Sequence, residues 1–394
     1  MLEVADAREI VLSHAKPLSP VRTALTPDSL GRVLAEDVRA DIDSPPFRKS
    51  MMDGYAVRVA DCTVPVELRI VEEIPAGAVP TRPIAAGECA RIFTGAPVPD
   101  GADAVVMQER TEPLGDRVRV TDTALSPGRN VMPRGKEMTA GDVVLSAGSV
   151  LNPVAFGVLA SVGRAEVAVV PAPRVAILAT GDELVEANAA PGPGQIRNSN
   201  GPMLSALVHR AGGVSRYLGI VRDDLGELRT RIGEALADAD VLLLTGGVSV
   251  GKLDLVPGVL EELGVVAHFH KVRMKPGKPL LFGSRGDTLV FGLPGNPVSG
   301  LVGFELFVRP ALRKLAGHAD PGPMTATLPL AADLSASHDR PTYSPGVVEA
   351  GRVRPLPWAG SGDLRSMLMA DAFIVLPPGE VRLKVGEQVS VAVC

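Results

Sequence analysis

The spacing of apolar positions changes character along the chain. Ala7, Ile10, Val11 and His14 recur at helical intervals before Pro17 and Pro20, which predicts a first helix to about residue 16. DIDSPPFRKSMMDGY (41–55) is polar, proline-rich and punctuated by Gly54, so it reads as a long loop. Between 55 and 145, the runs VELRIVEEI, ECARIF, AVVMQE, DRVRVT and DVVLSA are separated by glycine and proline turns. Short runs so bounded predict a mostly β module inserted into the first unit. NPVAFGVLASVG then predicts a short helix from near Pro153, and VAVVPAP leads out of the module.

From 174 the rhythm is strand, loop, helix. RVAILAT, RYLGIV, ADVLLLTGG, VVAHFHKV and TLVFGLPG read as strands. Helices are predicted over 202–211, with Leu204, Leu207, Val208 and Ala211 on one face and Asn200 as the cap, and after Asp223 or Asp224, carrying Leu228, Ile232, Ala235 and Leu236. Two more are expected over 254–263 and 299–316. Such alternation predicts a mainly parallel sheet covered on both faces, with its ligand loops at the carboxyl ends of the strands. Those loops are TGDEL, TGGVSVG and GLPGNP. After about 318 the chain returns to strands and turns, MTATLPLAA, GVVEAGRVRPLPW, AFIVLPPG and EQVSVAV, expected to form a small C-terminal β domain.

Composition narrows the function classes. Of 394 residues, 46% are hydrophobic, enough for several cores, whereas aromatics at 3% leave little to stack nucleobases on. The net charge of -5 and the lack of a basic tract argue against a nucleic-acid partner. Three scattered cysteines make no disulfide framework, no basic segment precedes an apolar run at the start, and no apolar run reaches membrane-spanning length. The expectation is a soluble cytoplasmic protein without a membrane partner.

Three groups of residues carry candidate chemistry. Gly246, Gly247 and Gly251 let backbone N–H groups approach an anion, with Thr245 and Ser249 as hydroxyl donors. Lys275 and Lys278 flank the rigid Pro276–Gly277 turn, where an oxyanion relieves their mutual repulsion. Asp53, Asp182, Glu183 and Asp254 lie in loops, and carboxylates beside phosphates point to Mg²⁺, a hard cation. His268 and His270, two apart on a strand, are no zinc signature, and no cysteine has a base partner in sequence.

SMMDGYAV, IFTGAPVP, TGDEL, TGGVSVG, KPGKP and GLPGNPVS occur in the order seen in the molybdopterin molybdenumtransferase family (the MoeA or gephyrin E-domain family), and GSGDLRSMLMADAFIVLP resembles that family's C-terminal segment. The resemblance runs essentially from end to end. It implies a multidomain α/β plus β fold with a three-layer α/β domain. Implied boundaries are 1–40 and 133–169 for an elongated central region, 41–132 for an inserted β-rich module, 170–317 for the α/β molybdopterin-binding domain and 318–394 for the C-terminal β domain. It further implies a homodimer whose active cleft joins the α/β domain of one subunit to the inserted module of the other.

The implied reaction inserts molybdate into adenylated molybdopterin and releases AMP, assisted by Mg²⁺. Alternatives are a molybdopterin adenylyltransferase-like enzyme or a non-catalytic scaffold of the same fold. Carried over by motif, Asp53, Thr94, Glu183 and Asp254 are the expected catalytic residues. Glu183, Asp254 and Glu137 are the expected metal ligands, and Pro294 and Pro297 shape the molybdate side. Transient partners are the molybdopterin-adenylating enzyme and acceptor molybdoenzymes. Lys136 and Lys252 stand where the family usually has acids.

Overall fold

A computed structural model describes residues 1–63, 65–247 and 255–393, and the chain divides into two compact units. One comprises Met1–Ala35, Gly148–Leu151 and Val167–Cys394; the other comprises Glu36–Ala147 and Asn152–Glu166.

The first unit is built around six strands: β1 (Arg174–Thr180), β2 (Val214–Val221), β3 (Val241–Thr245), β4 (Val266–Lys271), β5 (Pro279–Arg285) and β6 (Thr288–Leu293). Their spatial order is β2-β1-β3-β6-β5-β4. β2, β1, β3 and β6 are mutually parallel, and β5 and β4 add an antiparallel edge. The α/β plus β fold class expected from the sequence is the one observed.

Alternate residues of the strands feed opposite faces, as the twofold period of a strand requires. Val175, Ile177, Val241 and Leu243 join one core, and Ala176, Leu178, Leu242 and Leu244 join the other. The first face is covered by the N-terminal helix Val4–His14, α1 (Asn200–Arg210), α4 (Pro297–Gly303) and α5 (Arg309–Leu315); the second is covered by α2 (Leu225–Asp238) and α3 (Val256–Glu262). This makes three layers. Each fully buried Leu, Ile or Phe contributes about 1.5–3 kcal/mol, so burial on both faces is the main stabilising term.

Several local expectations need correction. β5 was not among the expected strands, although Gly286–Asp287 forms the two-residue turn of a β5–β6 hairpin with Arg285 paired to Thr288. Asn200 is not a cap: it lies inside α1 after Ser199, and its side chain turns into the protein. Asp224 does cap α2, accepting from the Glu227 N–H at 2.8 Å. The helix expected over 299–316 is two α segments joined by a π turn, Phe304–Val308. Buried Glu305 sits in that turn, paired to Arg210 and, at 3.0 Å, to Arg309. Burial raises its carboxyl above the usual range despite both arginines.

The C-terminal part contributes a five-stranded antiparallel sheet, in the order Thr325–Pro329, Gln388–Val393, Ala372–Leu376, Thr342–Glu349 and Arg352–Pro355. A second ribbon pairs Leu334–His338 with Gly379–Leu383. Backbone bonds stitch this part to the α/β sheet. Lys275 N–H donates to Pro341 O at 2.9 Å, Tyr343 N–H to Lys275 O at 2.8 Å, and Val298 N–H to Ser361 O at 3.0 Å.

The second unit holds a six-stranded sheet ordered Ala104–Met107, Gly54–Val57, Glu88–Ile92, Val66–Ile74, Arg117–Val120 and Thr111–Leu114. The loop expected over 41–55 therefore ends in a strand whose four residues are all buried. Gly54 is required there, because a Cβ would fall on the Val106 carbonyl of the neighbouring strand. Tyr55 and Val57 pack on one face of the sheet and Ala56 on the other.

Candidate active site

β1, β3 and β6 end side by side, Ala179 opposite Thr245 and Thr245 opposite Leu293. The loops expected to bind ligand thus leave one edge of the sheet together. Asn200 ties two of them: its Nδ2 donates to Thr245 Oγ1 at 2.7 Å and to Gly295 O at 2.8 Å. Gly246 and Gly247 both have positive φ, 89° and 60°, and pass close to Thr180. A Cβ on Gly247 would lie 2.7 Å from Thr180 Oγ1, so only glycine fits this path.

Two polar atoms here are buried without a hydrogen-bond partner among the described residues, Thr180 Oγ1 and Asn200 Oδ1. Their residues are 1% and 6% exposed. A buried polar atom left unpaired costs about 1–3 kcal/mol, and a ligand's polar edge would offset that cost. Glu183 and Asp182 follow β1, with the Glu183 carboxylate folded over Gly181 and Asp182 accepting from the Asp223 N–H at 3.3 Å. Ser249, Gly251, Lys252 and Asp254 lie outside the described residues.

KPGKP forms one wall of a cleft of about 500 Å³ between the α/β sheet and the C-terminal domain. Lys275, Lys278 and Pro294 line it from one side, His338, Arg340, Trp358 and Ser361 from the other. Pro297 opens α4 nearby and does not line the cleft. The Lys275 ammonium donates to His338 Nδ1 at 3.1 Å, and Arg340 pairs with Asp339 at 3.1 Å. Asp363 fastens the 359–366 loop: its carboxylate accepts from Ala359 N–H at 2.9 Å, Ser366 N–H at 3.2 Å and Ser366 Oγ at 2.5 Å. Three cationic side chains around one cavity carry the charge and the donors that an oxyanion needs.

In the second unit, Asp53 and Thr94 are hydrogen-bonded neighbours. Thr94 N–H and Oγ1 donate to Asp53 Oδ1 at 2.7 and 2.8 Å. These bonds, the backbone one first, hold the Asp53 carboxyl below its ordinary range, and Arg91 adds to the effect. Arg91 donates to Tyr55 OH at 2.9 Å and to Gln108 Oε1 at 3.0 Å, and lies over the Tyr55 and Phe93 rings. Glu137 is elsewhere in this unit, accepting from Ser44 Oγ at 2.7 Å and paired to Lys49 at 3.5 Å.

Of the expected metal ligands, Asp254 lies outside the described residues, and Glu183 and Glu137 belong to different units. Among the described residues no three His, Cys, Asp or Glu side chains group to hold a metal, and both Glu137 oxygens are engaged. Cysteine chemistry is disfavoured: burial pushes the Cys62 thiol up to about 11 and the Cys89 thiol up to about 12.

Three family models match in succession: the MoeA N-terminal region (domain I and II) over 2–163, the "Probable molybdopterin binding domain" over 176–314, and the MoeA C-terminal region (domain IV) over 327–394. The chain belongs to the MoeA family. Its relatives include proteins called molybdopterin molybdenumtransferase. That of Staphylococcus aureus (strain MRSA252) is 35% identical over 99% of this chain and 95% of the relative. That of Bacillus subtilis (strain 168) is 37% identical over 92% and 87%. The solved structure of the molybdopterin biosynthesis MoeA protein from Pyrococcus horikoshii OT3 matches all of both chains, with a TM-score of 0.86 and 30% identity.

Motif reading gave no functional role to Thr180 and Asn200, whose buried oxygens lack partners among the described residues, or to His338, Arg340, Trp358 and Ser361, which line the cleft. The last four come from the C-terminal domain, and nothing in their local sequence says that they face KPGKP. Asn200 had a readable signal, a polar side chain one position inside a helix start, but capping was the more economical assignment.

Proposed function

We propose that this chain is a molybdopterin molybdenumtransferase, which takes adenylated molybdopterin and molybdate and yields molybdenum cofactor and AMP. The observation that carries this is the match at 35% identity over 99% of the chain to a protein of that name. The geometry supports a division of labour. Molybdate, a tetrahedral dianion, suits the basic cleft of Lys275, Lys278 and Arg340, where Ser361 adds a hydroxyl and Pro294 a rigid wall. The pterin and phosphates suit the edge formed by Thr245, Gly246 and Gly247, where Thr180 Oγ1 and Asn200 Oδ1 have no hydrogen-bond partner among the described residues. Ser249 and Gly251 belong to the same proposal through their motif.

Asp53, Thr94, Glu183 and Asp254 are proposed to act in the reaction, Asp53 and Thr94 from the partner subunit of a homodimer. Mg²⁺ dependence is part of this reading, with Glu183 and Asp254 as the acids nearest the proposed phosphate loops in sequence. Contacts with the adenylating enzyme and acceptor molybdoenzymes, and a cytoplasmic location, complete the proposal. Among the described residues no helix is long and apolar enough to cross a membrane.

The test incubates purified protein with adenylated molybdopterin, molybdate and Mg²⁺, following AMP release and activation of a cofactor-free molybdoenzyme. Molybdate-dependent appearance of both is expected, with loss on chelation by EDTA. Pterin binding without either product would refute the transferase reading.

A further inference from the structure

The basic cleft holds one group whose charge is not fixed. His338 ends the strand Leu334–His338 and faces Lys275, whose ammonium donates to His338 Nδ1 at 3.1 Å. A lysine ammonium has only donors, so the imidazole must accept at Nδ1 and carry its proton on Nε2. Partial burial first, and then the charge of Lys275, hold this imidazole below its usual range, while Asp339 acts weakly in the other direction. The other charges around it are Lys278 and Arg340 in the cleft wall, with Arg340 engaged by Asp339. On the ribbon strand beside it, Glu380 and Arg382 pair with each other at 3.8 Å. Without an anion, a proton on His338 would place a second cation against Lys275.

A bound dianion reverses that balance. It offers Lys275 a charged acceptor in place of a neutral one, which frees Nδ1, and its own charge favours an imidazolium within reach. We propose that His338 is a positioning residue for the oxyanion: it takes up one proton from solvent when the dianion enters the cleft, becoming a fourth cation beside Lys275, Lys278 and Arg340. The proton is conserved in the step: dianion, neutral imidazole and one solvent proton become a dianion–imidazolium pair, with no bond to the oxyanion broken. This deepens the transferase reading and rests on its placement of molybdate in this cleft. One consequence is that molybdate affinity follows pH even where molybdate itself does not change charge. A second is that product release becomes easier once the dianion's charge is diminished by transfer to sulfur ligands, because the imidazolium then loses its partner.

The experiment is calorimetric titration of the full chain with sodium molybdate at about pH 7.5, in buffers of differing ionisation enthalpy, which reads the protons taken up per anion bound. A net uptake approaching one proton is expected. Affinity should fall with rising pH by up to about tenfold per unit, the limit for one linked proton. His338→Gln should bind several-fold more weakly, take up no proton and lose the pH dependence, and its thermal midpoint checks that it folds. Binding to the unmodified chain without proton uptake would overturn the role of His338 and leave the anion cleft standing. No molybdate binding at all, or binding indifferent to Lys275→Ala, would remove the anion cleft itself and the inference with it. AMP release tests the transferase reading separately from both.

Discussion

Removing the Asn200 amide should loosen the strand ends from which the proposed pterin and phosphate loops depart. Asn200 is 6% exposed and donates twice, to Thr245 Oγ1 at 2.7 Å and to Gly295 O at 2.8 Å. Each such bond is worth about 1 kcal/mol net, and an acceptor left unpaired and buried adds about 1–3 kcal/mol. That penalty falls toward its lower end here, because Thr245 Oγ1 retains Pro294 O at 3.4 Å and Gly295 O is only partly buried. Alanine also removes Asn200 Oδ1, which has no partner among the described residues, and so regains part of that cost, leaving a net loss for Asn200→Ala of about 1–2 kcal/mol.

Urea unfolding followed through Trp358 is the assay, since this is the sole tryptophan and it lies in the same unit. Asn200→Asp separates donation from packing. It keeps the volume but sets a buried carboxylate oxygen against the Gly295 carbonyl, with only the Thr245 hydroxyl able to turn and donate to it, so it should cost at least as much as alanine. A loss below about 0.5 kcal/mol for Asn200→Ala, or an aspartate variant milder than the alanine one, would refute the reasoning.

Three further outcomes are expected. Gly54→Ala should destabilise the second unit by about 3 kcal/mol or more, because the obstructing atom is backbone and cannot move aside; proteolysis confined to residues 36–147 would reveal it, and unchanged resistance would contradict the packing. Asp53 has a folded pKa below its ordinary 3.8, so its stabilising bonds to Thr94 are present in full above that value and lost as pH falls through the lowered one. Acid unfolding of the second unit should accordingly be shallower in Asp53→Asn, and identical acid profiles would count against the bond. If the active cleft is shared between subunits, mixing inactive Asp53→Ala and Lys275→Ala chains should restore about a quarter of the activity, since half of randomly paired dimers then carry one intact cleft of two. No recovery after verified subunit exchange would place both residues in one chain's site.

How much of this was legible follows from which physical effects are local. The α/β rhythm could be read because β1 and β3 are almost wholly apolar, as strands buried on both faces must be, and α2 carries Leu228, Ile232, Ala235 and Leu236 at helical spacing. The loops at the strand ends followed from that order. β5 was missed because the Lys275–Lys278 turn runs straight into it and Pro279 opens it, which is not a strand signal. The strand ending the 41–55 segment was missed because GYAV is short and owes its place to pairing on both sides.

By itself, the sequence determined the order of elements, the family and the residue types available for anion chemistry, because periodicity, turn chemistry and motif order are properties of neighbours along the chain. Tertiary structure decided which of those residues share a surface. Lys275 meets His338 across 63 positions, and Asn200 reaches Thr245 across 45 and Gly295 across 95. Such meetings depend on strand order and on how one sheet packs against another, and no local pattern encodes a partner at that distance. The same physics gives His338 its proposed role: an isolated histidine titrates in its ordinary range, and only a lysine folded against it makes its proton conditional on a third charge.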